Sequence, residues 1–167
     1  MEKEDSVISS MKKEIKNKTF HYTNKAMVQY LLSKTPIKGS VLDAGSGNNK
    51  VWFNELRGKK YECEIDDGCD FFEWDKKVDW VVGNPPFHLG WLFLEQASNI
   101  ANIGIAFLGN LNFWNSCLPS RFEKLKEKGF YLKKIIIVQD KRWFGRYYYL
   151  IFTKEDNNFI EWNTQTF

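Results

Sequence analysis

The chain reads as an α/β protein with a mostly parallel sheet, and three stretches carry that reading. Val78-Asp79-Trp80-Val81-Val82 is a β-favouring run that breaks into Gly83-Asn84-Pro85-Pro86-Phe87. A buried parallel strand with a rigid turn at its C-terminal end has this pattern. Val41-Leu42-Asp43-Ala44 is a second short apolar run, opening into Gly45-Ser46-Gly47 before a helix-like segment from Asn49 to Leu56. Tyr61 to Asp66 reads as a further strand ending in carboxylates. It lies roughly 20 residues beyond the glycine turn, the spacing at which an acid holds a ribose diol.

Composition bounds the rest. A chain of 167 residues with 43% hydrophobic and 17% aromatic content can build one compact domain. No apolar run is long enough to span a membrane, and the charged start lacks a signal-peptide pattern. We therefore expect no membrane partner and a cytoplasmic setting. The three cysteines, Cys63, Cys69 and Cys117, are odd in number and unevenly spaced. They predict neither a disulfide framework nor a zinc site, and hence a reducing compartment. A net charge of +3 is compatible with nucleic-acid binding without arguing for it.

Taken in order, residues 2–18 carry apolar side chains at Val7, Ile8, Met11 and Ile15. They read either as an amphipathic flanking helix or as a solvated tail. Thr23 or Asn24 can cap a helix running to Lys34, with Ala26, Met27, Tyr30 and Leu31 on one face and Thr35-Pro36 at its end. His21, beside aromatics, reads as a packing residue. Only five residues separate Glu64 from Asp70, whereas a crossover helix and another parallel strand need a dozen or more. A third strand must be lost or vestigial, and that edge of the sheet shortened.

Beyond Phe87 a helix is expected over Leu92–Ile100, with Leu92, Phe93, Gln96 and Ala97 along one side and Trp91 in the core. A buried strand then covers Ile103–Leu108, followed by an open loop over Gly109–Ser116. Pro119 to Lys128 reads as a charged amphipathic helix closed by Gly129. Ile135–Val138 and Tyr147–Phe152 are strands whose connection is too short for a helical crossover, so they predict an antiparallel hairpin.

The chemistry concentrates at the two turns. Consecutive prolines remove two backbone donors and leave the Asn84 and Pro85 carbonyls to accept hydrogen bonds. The Asn84 side chain adds an acceptor and Phe87 a flat apolar face. Acceptors beside an aromatic plate suit an exocyclic amino group on a planar ring; the plainer reading is a turn that closes a strand. Gly45-Ser46-Gly47 would let a backbone approach a ligand at a helix N-terminus. It is weak evidence alone, because Asn48 and Asn49 stand where a dinucleotide fingerprint continues toward its third glycine.

Together these motifs resemble those of the S-adenosylmethionine-dependent amino-methyltransferases, most closely the small DNA adenine-N6 methyltransferases of phage and restriction-modification type. The resemblance spans about residues 20–110. It implies a Rossmann-like class I methyltransferase fold and S-adenosylmethionine as cofactor. Asp43-Ala44-Gly45-Ser46-Gly47 resembles the family's cofactor loop, Glu64 its ribose acid, and Asp70-Phe71-Phe72 the element beside the cofactor's adenine. Asn84, Pro85, Pro86 and Phe87 match the catalytic tetrapeptide, with Asn84 also near the cofactor. Phe20-His21-Tyr22-Thr23-Asn24 resembles the N-terminal motif, which implies Tyr22 and Thr23 at the cofactor's methionine end; Thr-Asn replaces the usual Thr-Pro.

The implied activity is direct methyl transfer to adenine N6, needing no metal and no cysteine nucleophile. Related alternatives are adenine in RNA or a glutamine side-chain amide in protein. An alternative of another class is a non-catalytic module that binds the cofactor or a nucleic acid. We expect residues 1–19 to be a flank and 20–167 one catalytic domain without a target-recognition domain, since only some eighty residues follow the tetrapeptide. DNA contact would then fall to loops, at His88, Asn112, Trp114, Lys141, Arg142, Trp143 and Arg146. The loop 139–146 should lie on the pocket side, or its tryptophan folds back on the sheet. A monomer or homodimer is expected, with short sites, loose specificity or a partner subunit for target recognition.

Overall fold

A computed structural model describes residues 23–142, 145–156 and 165. The expected helix over 2–18, His21, Tyr22 and Trp143 lie outside the described residues.

Six strands form one sheet in the order β2-β1-β3-β4-β6-β5. They are β1 (Val41–Ala44), β2 (Lys60–Cys63), β3 (Val78–Gly83), β4 (Ala101–Gly109), β5 (Tyr131–Val138) and β6 (Tyr147–Thr153). The pairs β2–β1, β1–β3 and β3–β4 are parallel, while β6 runs antiparallel between β4 and β5. The C-terminal hairpin is thus as expected. The missing third strand is too: the path from β2 to β3 holds two single-turn 3-10 segments, Ile65–Asp67 and Phe71–Glu73, joined by short irregular stretches, and no strand. That leaves β2 at the sheet's edge.

Side chains alternate across β4, so both faces are buried. Ile105 and Phe107 join Leu42, Val81, Leu150 and Phe152 beneath α3 (Gly90–Ile100) and α5 (Pro119–Glu127). Ala106 and Leu108 join Val41, Trp80, Val82 and Tyr149 beneath α1 (Lys25–Ser33) and α2 (Val51–Glu55). Asn24 caps α1, its Oδ1 accepting from Ala26 N at 2.9 Å and Met27 N at 3.3 Å. The buried stripe of α1 differs from the expected one. Val28 and Leu31 face the sheet, while Ala26 and Tyr30 point to solvent.

Two further expectations need correcting. Residues 111–116 are not an open loop but a short helix, α4 (Leu111–Ser116), because Asn110 Oδ1 accepts from Phe113 N at 3.2 Å and caps it. Cys63 and Cys69 form a disulfide, with Cα atoms 5.1 Å apart. The turn over Ile65–Asp67 and the left-handed Gly68 (φ 85°) fold this short step back on itself. An odd cysteine count hid the pair, since the third, Cys117, is a buried thiol. The inference of a reducing compartment therefore loses its support. Among the described residues no helix is long and apolar enough to cross a membrane.

Candidate active site at the carboxyl edge of the sheet

Strands β1 and β3 end side by side, and their exit turns touch. Gly83, the last residue of β3, has φ 142°, and a Cβ there would lie 2.8 Å from Ala44 O and 3.0 Å from Asp43 Oδ1. Only glycine lets the two strand ends approach this closely. One step on, Pro86 Cδ lies 4.0 Å from where a Cβ on Gly45 would sit. The glycine turn and the proline corner are thus neighbours, as transfer between their ligands would require.

The glycine turn is built on β2. Gly45 N and Ser46 N donate to Cys63 O at 2.8 and 3.3 Å, and Gly47 N donates to Glu64 Oε2 at 2.6 Å. Glu64, just past the end of β2, is buried against the turn. Lys50, in the left-handed region at φ 46°, sends its ammonium to Glu62 Oε1 (2.6 Å) and Asp67 Oδ2 (3.1 Å). Hydrogen bonds to those carboxylates raise its pKa.

Asp43 is wholly buried. Its Oδ2 accepts from Phe53 N at 2.9 Å, and its Oδ1 has no partner among the described residues. Burial pushes its carboxyl up to about 8, against the Phe53 N–H and with the charges of Glu62 and Glu64 adding to the rise.

At the corner, Asn84 Nδ2 donates to Thr23 Oγ1 at 3.1 Å, which leaves Asn84 Oδ1 as the amide end without a partner. Ser46 Oγ is likewise buried without a partner among the described residues. Pro86 O accepts from Leu89 N at 2.9 Å, and the turn Phe87–Leu89 leads into α3. Each unmet buried acceptor costs about 1–3 kcal/mol. Their gathering at one strand edge is the pattern of a site that a ligand completes.

The turn over Phe71–Glu73 flanks this edge. Asp70 Oδ1 accepts from Phe72 N at 2.9 Å and caps it. Phe71 is buried and stacked on Phe93 (centroids 4.8 Å), with Phe72 half-buried and edge-on to the same ring at 5.2 Å. Gln96 of α3 secures the turn through Nε2, donating to Phe71 O (3.2 Å) and Trp74 O (2.8 Å).

The other wall is aromatic. Phe87 lies 6.1 Å from Tyr147, at the start of β6, and Trp114 stacks on Tyr148 at 6.0 Å. Trp91 is buried, as expected. His88, Asn112, Lys141, Arg142 and Arg146 are exposed, but the Arg142 fork holds Asp140, with Nη2 to Oδ2 at 2.6 Å. That contact holds the Asp140 carboxyl below its ordinary range. Among the described residues no three His, Cys, Asp or Glu side chains gather to hold a metal.

Sequence reading named Asp43, Ala44, Gly45, Gly47, Glu64, Asn84 and Pro86, and the fold brings them together. It missed Trp52, Glu62, Gln96 and Tyr147. The β-favouring run Tyr147–Phe152 signalled a strand, but not that Tyr147 would meet Phe87.

No family model matches the chain, and no curated protein matches it in sequence. Its fold does match solved structures. TrmN from Thermus thermophilus superposes with a TM-score of 0.56 at 19% identity over 80% of this chain, which spans about half (49%) of that protein. The ribosomal protein L11 methylase of Lactobacillus delbrueckii subsp. bulgaricus gives 0.56 at 14% identity, covering 82% of this chain and 81% of that one. Magnesium protoporphyrin IX methyltransferase (ChlM) from Synechocystis PCC 6803, solved with bound SAH, gives 0.54 at 13% identity over 78% and 80%. The mostly parallel sheet with its C-terminal antiparallel hairpin matches these neighbours in fold: the chain has the Rossmann-like class I methyltransferase fold.

Proposed function

We propose that this protein is an S-adenosylmethionine-dependent methyltransferase acting on the exocyclic N6 of adenine in DNA. The observation that carries the reading is Asn84 Oδ1: a buried acceptor without a partner, in a proline corner that abuts the glycine turn. The donor set also suits the cofactor. Glu64 would hold its ribose hydroxyls. Asp43 and Ser46 offer unmet oxygens to its cationic methionine end, and the Asp70–Phe72 turn an apolar wall to its adenine. Bound there, S-adenosylmethionine supplies the methyl group as an electrophilic carbon on a sulfonium.

The chain's own groups prepare the acceptor. Adenine's amino nitrogen is a poor nucleophile because its lone pair is delocalised into the ring. Hydrogen bonds from that NH2 to Asn84 Oδ1 and Pro85 O would draw the nitrogen toward tetrahedral geometry. Phe87 would cover the base once it leaves the helix, offsetting part of the few kcal/mol that unstacking costs. Holding the reactants in line supplies much of the rate. The exposed Lys141 and Arg146, in the loop ahead of Tyr147, would meet phosphates.

The test incubates the purified chain with methyl-tritiated cofactor and DNA, RNA or protein in parallel. We expect label in DNA, recovered as N6-methyladenine. Asn84→Ala should lower the rate by about a thousandfold or more while cofactor affinity stays within about twofold. Label in RNA or protein alone would move the substrate. Cofactor binding without transfer to any of them would make the chain a binding module.

A further inference from the structure

Thr23 joins three segments that are far apart in the sequence. Its Oγ1 accepts from Asn84 Nδ2 at 3.1 Å and from Trp52 Nε1 at 3.2 Å. We infer that Thr23 and Trp52 are positioning residues: they determine which end of the Asn84 amide faces the target. The inference rests on the reaction proposed above.

An asparagine amide has two ends of nearly equal shape and opposite hydrogen-bonding sense. Turned one way, Asn84 presents an acceptor to the target amine; turned the other, it presents two hydrogens and repels it. Geometry alone does not choose between them, so the partner of the outer end must. Thr23 Oγ1 holds the Nδ2 end, and Oδ1 is left buried and unpartnered.

Thr23 in turn needs an anchor, because it lies just ahead of α1, outside any helix or strand. Trp52 provides it. An indole N–H can only donate, and Thr23 Oγ1 receives it. Trp52 is itself immobilised: it is buried and stacked on Tyr149 at 5.7 Å, and the Tyr149 hydroxyl pairs with Thr35 Oγ1 at 2.9 Å. The far face of the sheet thus sets the orientation of an amide at its edge. Thr23 is not the cap of α1, a role Asn24 fills, so its hydroxyl can be removed without uncapping the helix.

The test uses the full chain with methyl-tritiated cofactor and an adenine-containing duplex. Thr23→Val keeps the side-chain shape and removes the hydroxyl. We expect kcat to fall about tenfold to a hundredfold with the cofactor Kd within about twofold, and Thr23→Ser to restore most of the rate. Trp52→Phe should lower kcat in the same direction by a smaller factor. A raised cofactor Kd with kcat unchanged at saturation would make Thr23 a cofactor contact and overturn the inference. NMR of the Asn84 side-chain amide in asparagine-labelled protein provides a readout that needs no activity. Its NH2 signals should shift and exchange faster with solvent in Thr23→Val, and identical signals would overturn the inference. Should the wild-type chain methylate no adenine substrate, the proposed function fails, and the amide signals still decide the orienting role.

Discussion

Asp43, in β1, and Asp140, just past β5, are buried carboxylates near the same edge of one sheet, and the chain treats them oppositely. Asp140 receives the Arg142 guanidinium on both oxygens and is held below the ordinary carboxylate range. Asp43 receives one backbone N–H, has two glutamates nearby and is pushed up to about 8. The hairpin side is electrostatically complete as it stands. Asp43 is left with one oxygen unmet among the described residues and no cation on its carboxylate. The strands differ in length as well: β1 and β2 are four residues each, whereas β4, β5 and β6 have nine, eight and seven.

Three measurements sharpen or break that contrast. The largest effect belongs to Asp43. Its folded pKa lies above its unfolded value, so the stability it contributes is fully present below about pH 4 and is lost as pH rises to about 8. Asp43→Asn should remove that slope and stabilise the ligand-free protein at pH 9 by on the order of a few kcal/mol, read as the difference from wild type in urea titrations. Equal stabilities at pH 9 would mean that Asp43 is solvated. Arg142→Ala comes next. It should cost about 1–2 kcal/mol at pH 7 by taking the guanidinium from Asp140, which keeps only the Arg142 backbone N–H on Oδ1. Because the Asp140 pKa is depressed, that cost should shrink as pH falls through the lowered value and the carboxyl protonates. A pH-independent loss would assign the effect to packing. Smallest is the joint change Lys141→Ala with Arg146→Ala. It should reduce the slope of log affinity for DNA against log salt by about 2, with cofactor affinity unaltered. An unchanged slope would put the phosphates elsewhere.

What could be read from the chain was what local chemistry controls. Asn84-Pro85-Pro86-Phe87 had to be a stiff turn, because two prolines leave few alternatives. The shortened edge followed from counting, since five residues cannot cross a sheet. The hairpin followed in the same way from the length of 139–146. Other features depended on partners distant in the sequence. The Cys63–Cys69 pair was hidden by an odd count, and α4 by aromatic residues in a segment whose capping Asn110 looked like part of a loop. Phe71, expected beside the cofactor's adenine, is buried against Phe93, with Phe72 at the more open position.

The sequence alone determined the order of turns along the chain and the presence of acceptors in them, because prolines, glycines and strand-forming runs act on their own neighbours. Only the tertiary structure decided which acceptors would go unmet. Asn84 could be seen to carry an oxygen and a nitrogen; that the nitrogen is held by Thr23, and the oxygen left unmet, required residues 61 positions apart to meet. A hydrogen bond between distant segments exists only once the sheet has brought them together, and no local pattern records it.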